Sequence, residues 1–143
     1  MLSALAGTNR AIEWGPLMVS TGRITAPSGL SMFYNLEYDK DLKSWMRLTR
    51  KGRRKIWGGV LTQNICEFVS RLILSQACLR ILNESEGRFS PLWLTHDEAV
   101  YLVEDRWAEA ALFFISDHMR RASDWLPGIP LDVEGEISDH YAK

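Results

Sequence analysis

Residues 92–103 read Leu92-Trp93-Leu94-Thr95-His96-Asp97-Glu98-Ala99-Val100-Tyr101-Leu102-Val103. Two apolar, β-prone runs flank the polar triplet His96-Asp97-Glu98, which is the pattern of a tight β-hairpin with its polar residues at the turn. Such a tip has two readings. It is a solvated corner between strands, or it is a metal site, because acids crowded at the end of a buried hairpin are costly unless a cation uses them. The triplet alone leaves both open.

Upstream of the hairpin lies the clearest helix, over residues 61–83. Ile65, Phe68, Val69, Leu72, Ile73, Leu79 and Leu82 recur at helical spacing and give it an apolar face. Thr62 is a candidate cap at its start and Gly87 follows its end. A second stripe, Asn64, Glu67, Arg71 and Ser75, runs along one side at spacings of three and four. Downstream, Asp105 can cap a second helix reaching Ala122, whose apolar face is Trp107, Ala110, Ala111, Phe114, Ile115 and Met119. Trp125-Leu126-Pro127-Gly128-Ile129-Pro130 is a rigid loop, and Leu131 to Ile137 can add a short strand.

The first third of the chain reads as β structure. Leu17-Met18-Val19 and Gly22 to Thr25 are strand-like, and Pro27-Ser28-Gly29 is a turn. Leu30, Met32, Tyr34, Leu36 and Tyr38 alternate with Ser31, Phe33, Asn35 and Glu37, a period of two that predicts one strand with an apolar face. Lys43 to Thr49 and Arg53 to Trp57 make two more strands joined at Lys51-Gly52. Residues 1–16 are a poorly defined N-terminal segment, either a short helix or an unpacked tail. The sum is an α+β fold: an antiparallel sheet with two long helices packed on one face.

The 143 residues suffice for one domain with a real core, and 46% hydrophobic and 24% charged residues are ordinary for a globular chain. A formal net charge of -1 conceals an asymmetry. Arg47, Arg50, Lys51, Arg53, Arg54 and Lys55 put six cations into nine positions, while Asp132, Glu134, Glu136 and Asp139 gather near the other end. A basic block of this kind can bind a polyanion in a protein of neutral overall charge; it can also be simply a solvated hairpin tip. Cys66 and Cys78 stand too far apart on one helix for a bridge or a local metal clamp, so reduced, core-filling thiols are expected. Met1 to Gly7 lacks the charged n-region of a signal peptide, and no apolar run is long enough to span a bilayer. The cytoplasm is the expected compartment, with no membrane partner.

Taken in order, Pro27-Ser28-Gly29, a strand ending in Tyr34, a basic hairpin, Trp57-Gly58-Gly59-x-Leu61-x-x-Asn64-Ile65, a long helix, the His96-Asp97-Glu98 hairpin, a further helix and Trp125-x-Pro127-Gly128-x-Pro130-Leu131 resemble the C-terminal half of the palm of family A (DNA polymerase I-like, phage-type) DNA polymerases. The resemblance covers residues 17–143. It implies that Asp97 is a ligand of two catalytic Mg²⁺ ions, that His96 lies near the primer end and that Glu98 is an accessory acid or an exposed turn residue. It implies that Asn64, Glu67 and Arg71 face the minor groove of primer–template DNA and that the cations from Arg47 to Lys55 contact its phosphates. The sequence departs from the family at Glu67, usually glutamine, at Leu72, usually an acid, and at Leu30, commonly arginine.

A second metal-binding aspartate and the helix that grips the incoming dNTP have no counterpart in residues 1–30, and Asp39 and Asp41 lack the surrounding pattern. The expectation is therefore the C-terminal piece of a polymerase, either a truncated product or one half of a split enzyme whose second polypeptide supplies the other aspartate and the dNTP-gripping helix. The alternative is a non-catalytic DNA-binding or interaction module on a palm-derived scaffold. A metallohydrolase using His96, His118 and His140 finds no paired-ligand spacing. An incomplete palm should leave apolar sheet surface uncovered.

Overall fold

The structure is a computed structural model, and it describes residues 1–7 and 9–141. The chain divides into two compact units, residues 1–68 and 69–143, with the boundary inside one long helix. The α+β class holds. Its strands are all antiparallel, but they fall into three separate sheets rather than one.

In the first unit, α1 (Leu2–Leu5) precedes a four-stranded meander of β1 (Ile12–Trp14), β2 (Leu17–Ser20), β3 (Arg23–Thr25) and β4 (Ser31–Phe33). Val19 pairs with Ile24 in register, and both are fully buried with Leu17 and with Leu5 of α1. The first sixteen residues thus supply a helix, a strand and part of a core. The Pro27-Ser28-Gly29 turn forms as the sequence predicts, with Gly29 at φ +85° and its amide donating to the Ala26 carbonyl at 2.9 Å.

The single strand predicted from Leu30 to Tyr38 is two. β4 ends at Phe33, and β5 (Leu36–Asp39) opens a three-stranded sheet with β6 (Ser44–Thr49) and β7 (Gly52–Lys55). Tyr34, whose amide donates to Gly22, is buried, while Leu30 and Tyr38 are exposed. The chain changes sheets at Tyr34-Asn35, so the alternation of period two never faces one common surface.

α2 (Gly58–Glu84) is longer than predicted. Thr62 lies within it, and its hydroxyl donates back to the Gly58 carbonyl at 2.9 Å instead of capping the start. Leu61 and Ile65 are buried in the first unit. In the second unit Leu72, Ala77, Cys78 and Ile81 are buried, whereas Leu79, expected on the apolar face, is exposed. Gly87, at φ +81°, closes the helix by donating to the Leu82 carbonyl at 2.8 Å.

The second unit continues with the hairpin β8 (Pro91–Thr95) and β9 (Glu98–Tyr101), a 3₁₀ turn at Asp105–Trp107, and α3 (Ala108–Arg120). Asp105 makes no cap, and Trp107 is exposed in the turn. Ile81, Phe89 and Ala111 form the core, with Tyr101, Val103, Phe114, Ile115 and Met119 packed around them. No strand forms over residues 131–137. There the Val133 carbonyl accepts from the Arg120 guanidinium at 2.6 Å and the Asp132 carboxylate from the Val133 amide at 2.8 Å, so side chains take the groups that a ladder would need. Cys78 is buried, but Cys66 is exposed, which corrects the expectation of two core thiols; both are free. Among the described residues, no helix is long and apolar enough to cross a membrane.

Candidate nucleic-acid interface and hairpin tip

Pairing within the second sheet sorts the basic residues by face. Arg47 stands directly opposite Arg54, and Leu48 opposite Arg53. Opposed residues share a face and neighbours along a strand alternate, so Arg47 and Arg54 share one side while Arg53 points to the other. There Arg53 pairs with Asp39 at 3.1 Å and Glu37 at 3.6 Å. Asp39 also accepts the backbone amides of Leu42, at 2.9 Å, and Asp41, at 3.1 Å. These contacts, the Leu42 amide foremost and then the Arg53 charge, hold its carboxyl below the usual aspartate range. Asp39 is therefore a turn-forming residue already satisfied by its own loop.

The opposite face opens into a groove of about 530 Å³ between the β6–β7 hairpin and the start of α2. Arg47, Arg50, Lys51, Arg54, Lys55 and Asn64 line it, together with Thr49, Ile56 and Val60, and no acid does. Among the described residues, none of these five cations has a carboxylate within ion-pair distance. Two like charges set directly opposite on a sheet face repel one another, and an anion between them removes that repulsion.

A rigid floor holds the groove in shape. The Arg47 guanidinium lies 4.8 Å from the centre of the Tyr34 ring, a cation–π contact. The buried Tyr34 hydroxyl accepts from the Asn64 amide at 2.9 Å and donates toward Met32 sulfur at 3.5 Å. Five of the six predicted hairpin cations and Asn64 thus line the groove, Lys55 from the strand end although its place opposite Met46 sets it on the face of Arg53, and Arg53 does not. Glu67 is exposed outside the groove lining and accepts from Gln63, one turn earlier, at 3.0 Å. Arg71 is exposed on α2 in the second unit.

The hairpin tip is a two-residue loop, because Thr95 pairs with Glu98 across it. His96 takes φ +50°, a region that a non-glycine residue enters only at a cost of about 1–3 kcal/mol. His96, Asp97 and Glu98 are all exposed. No hydrogen bond or ion pair engages the Asp97 side chain among the described residues, whereas Glu98 accepts from the Tyr141 hydroxyl at 3.1 Å. Among the described residues, no group of three or more His, Cys, Asp or Glu side chains is placed to hold a metal ion. The tip fits a hydrated Mg²⁺ held by one carboxylate and completed by other ligands, and it does not fit an all-protein cage.

Sequence reasoning missed a third constellation, within the second unit. Gln76, Arg80 and Glu84 stand four residues apart along α2. The Glu84 carboxylate meets His118 Nε2 at 2.8 Å and Arg121 at 3.5 Å, and Arg121 in turn meets Asp117. The His118 ring is buried, and its Nδ1 meets the Phe114 carbonyl at 2.7 Å. Both ring nitrogens therefore face oxygen atoms of their neighbours. Arg80 donates to the His118 carbonyl at 2.8 Å and the Arg121 carbonyl at 3.1 Å, satisfying the end of α3. Gln76 accepts from Ser123 at 2.8 Å and from the Trp125 indole at 2.7 Å. The spacing of four among polar residues was the signal for this clasp. His140, the remaining histidine, is exposed and, among the described residues, bonds to its neighbour Asp139 and to Ser138.

No protein-family model, curated protein or solved structure matches the chain.

Proposed function

We propose that this chain binds primer–template DNA as the C-terminal palm part of a DNA-directed DNA polymerase of the family A type. The observation that carries the reading is the groove: five uncompensated cations and Asn64 on a fixed frame, with no acid in its lining. Phosphate contacts of this kind are independent of sequence, as a polymerase requires. Asn64 adds a donor suited to the acceptors that every base pair shows in the minor groove.

Asp97 supports the catalytic half of the proposal as an exposed carboxylate at a hairpin tip, unengaged among the described residues. Bound Mg²⁺ would supply acidification of the primer 3′-hydroxyl and stabilisation of the leaving pyrophosphate. In this reading Asp97 contributes one carboxylate, and the other ligands and the dNTP-gripping groups come from a second polypeptide or another segment of the polymerase. The proposed compartment is the cytoplasm.

A second reading is a non-catalytic DNA-binding or interaction module on the same scaffold. It is favoured by the absence, among the described residues, of three ligating side chains around Asp97. Primer extension separates the two when the chain is mixed with candidate complementing polypeptides, dNTPs and Mg²⁺. The polymerase reading expects one mixture to extend primers and Asp97→Asn to abolish extension while duplex binding persists. Duplex binding with no active mixture supports the module. No duplex binding at low salt contradicts the polymerase reading and the DNA-binding form of the module, and leaves the interaction module alone.

A further inference from the structure

The last described residues return to the hairpin that carries Asp97. Tyr141 packs its ring edge-on against Trp93 of β8, with centroids 4.9 Å apart and planes at 81°. The same side chain gives its hydroxyl proton to Glu98 Oε2 at 3.1 Å. The approach is shaped locally, since the Ser138 hydroxyl donates to the His140 carbonyl at 2.7 Å and accepts from the His140 amide at 3.4 Å. One residue thus makes two contacts of different kind with both strands of the hairpin, on either side of the His96-Asp97 loop.

We propose that the segment Ser138–Tyr141 is a strap that closes on the hairpin, engages Glu98 through Tyr141 and releases this carboxylate to an outside ligand only when it lifts. Glu98 and Asp97 are then unequal although adjacent in sequence: Asp97 stands open and Glu98 is committed. The two contacts are half-exposed and individually weak, so the closed form exceeds the open one by a modest factor and the strap opens without unfolding the unit. The positive φ of His96 places local strain beside the engaged residue, where a bracing contact has most effect.

Amide hydrogen exchange on the whole chain tests the strap without reference to catalysis. Tyr141→Ala should raise exchange at residues 96–100 by about two- to fivefold, and Tyr141→Phe, which keeps the ring contact, by less. Wild-type exchange in Tyr141→Ala overturns the strap. Mn²⁺ binding followed by water-proton relaxation adds one arm that rests on reading Asp97 as a cation ligand. Tyr141→Phe should bind Mn²⁺ about two- to fivefold more tightly than the wild type, and Asp97→Asn should abolish binding. Equal affinities in wild type and Tyr141→Phe contradict the withholding of Glu98. Absence of Mn²⁺ binding in every variant contradicts the reading of Asp97 and leaves the exchange result to decide the strap.

Discussion

Two clusters of charge in this molecule have opposite bookkeeping. In the second unit Arg80, Glu84, Asp117, His118 and Arg121 are joined to one another or to the backbone at the end of α3. In the first unit Arg47, Arg50, Lys51, Arg54 and Lys55 share a groove with no carboxylate within ion-pair distance among the described residues. Charges that answer each other hold helices together. Charges left unanswered on a rigid frame repel one another until an external anion arrives. Arg53 shows the difference within a single strand: turned to the other face, it pairs with Glu37 and Asp39 and becomes part of the sheet.

The comparison breaks most sharply at its most buried member. His118→Ala should destabilise the protein by about 2–4 kcal/mol, because it empties a buried site and strips acceptors at Phe114 and Glu84. Urea unfolding measures this, and duplex affinity of the folded protein should be unchanged. Arg47→Ala combined with Arg54→Ala should leave the unfolding midpoint within a few tenths of a molar and weaken duplex binding by about tenfold or more at low salt. If the double variant unfolds early and binds normally, the assignment of roles is reversed.

Acid sharpens the contrast further. The His118 hydrogen bond, with the charges of His118, Arg121 and Arg80, lowers the Glu84 pKa, and Arg121 lowers that of Asp117. A carboxylate whose folded pKa is depressed adds stability that is present above its unfolded pKa and lost as pH falls through the folded value. Protection of α3 amides should therefore decline as pH falls below the ordinary carboxylate range, and Glu84→Gln should flatten that decline. Arg53→Ala should change duplex affinity by less than twofold, since its charge already has protein partners. The smallest effect is expected at His96→Gly, which relieves positive φ and should raise stability by about 0.5–1 kcal/mol.

Much of this was legible in local patterns. Both charged hairpins, α2 and the glycine turns follow from periods of two and 3.6 and from turn chemistry, which act over a few residues. The change of sheet at Tyr34-Asn35 was not legible, because alternation reports a strand and not the surface it faces. The strand expected at residues 131–137 lost to Arg120 and Asp132, whose hold on the local backbone depends on tertiary placement. The groove was half legible. Composition marked six cations, but only the tertiary arrangement shows that five line the groove while Arg53 pairs with Glu37 and Asp39. Glu98 read as a companion of Asp97, and the Tyr141 contact that sets the two apart lies over forty residues away in sequence.

The salt dependence of duplex binding tests the central claim most directly. With affinity measured between 50 mM and 200 mM salt, three to five phosphates neutralised in the groove give a slope of log affinity on log salt of about −3 to −4.5. Removing Arg47 and Arg54 should bring that slope about 2 units closer to zero. A flat dependence for the native chain, or the same slope with both arginines replaced, would contradict the assignment of the groove to the DNA backbone.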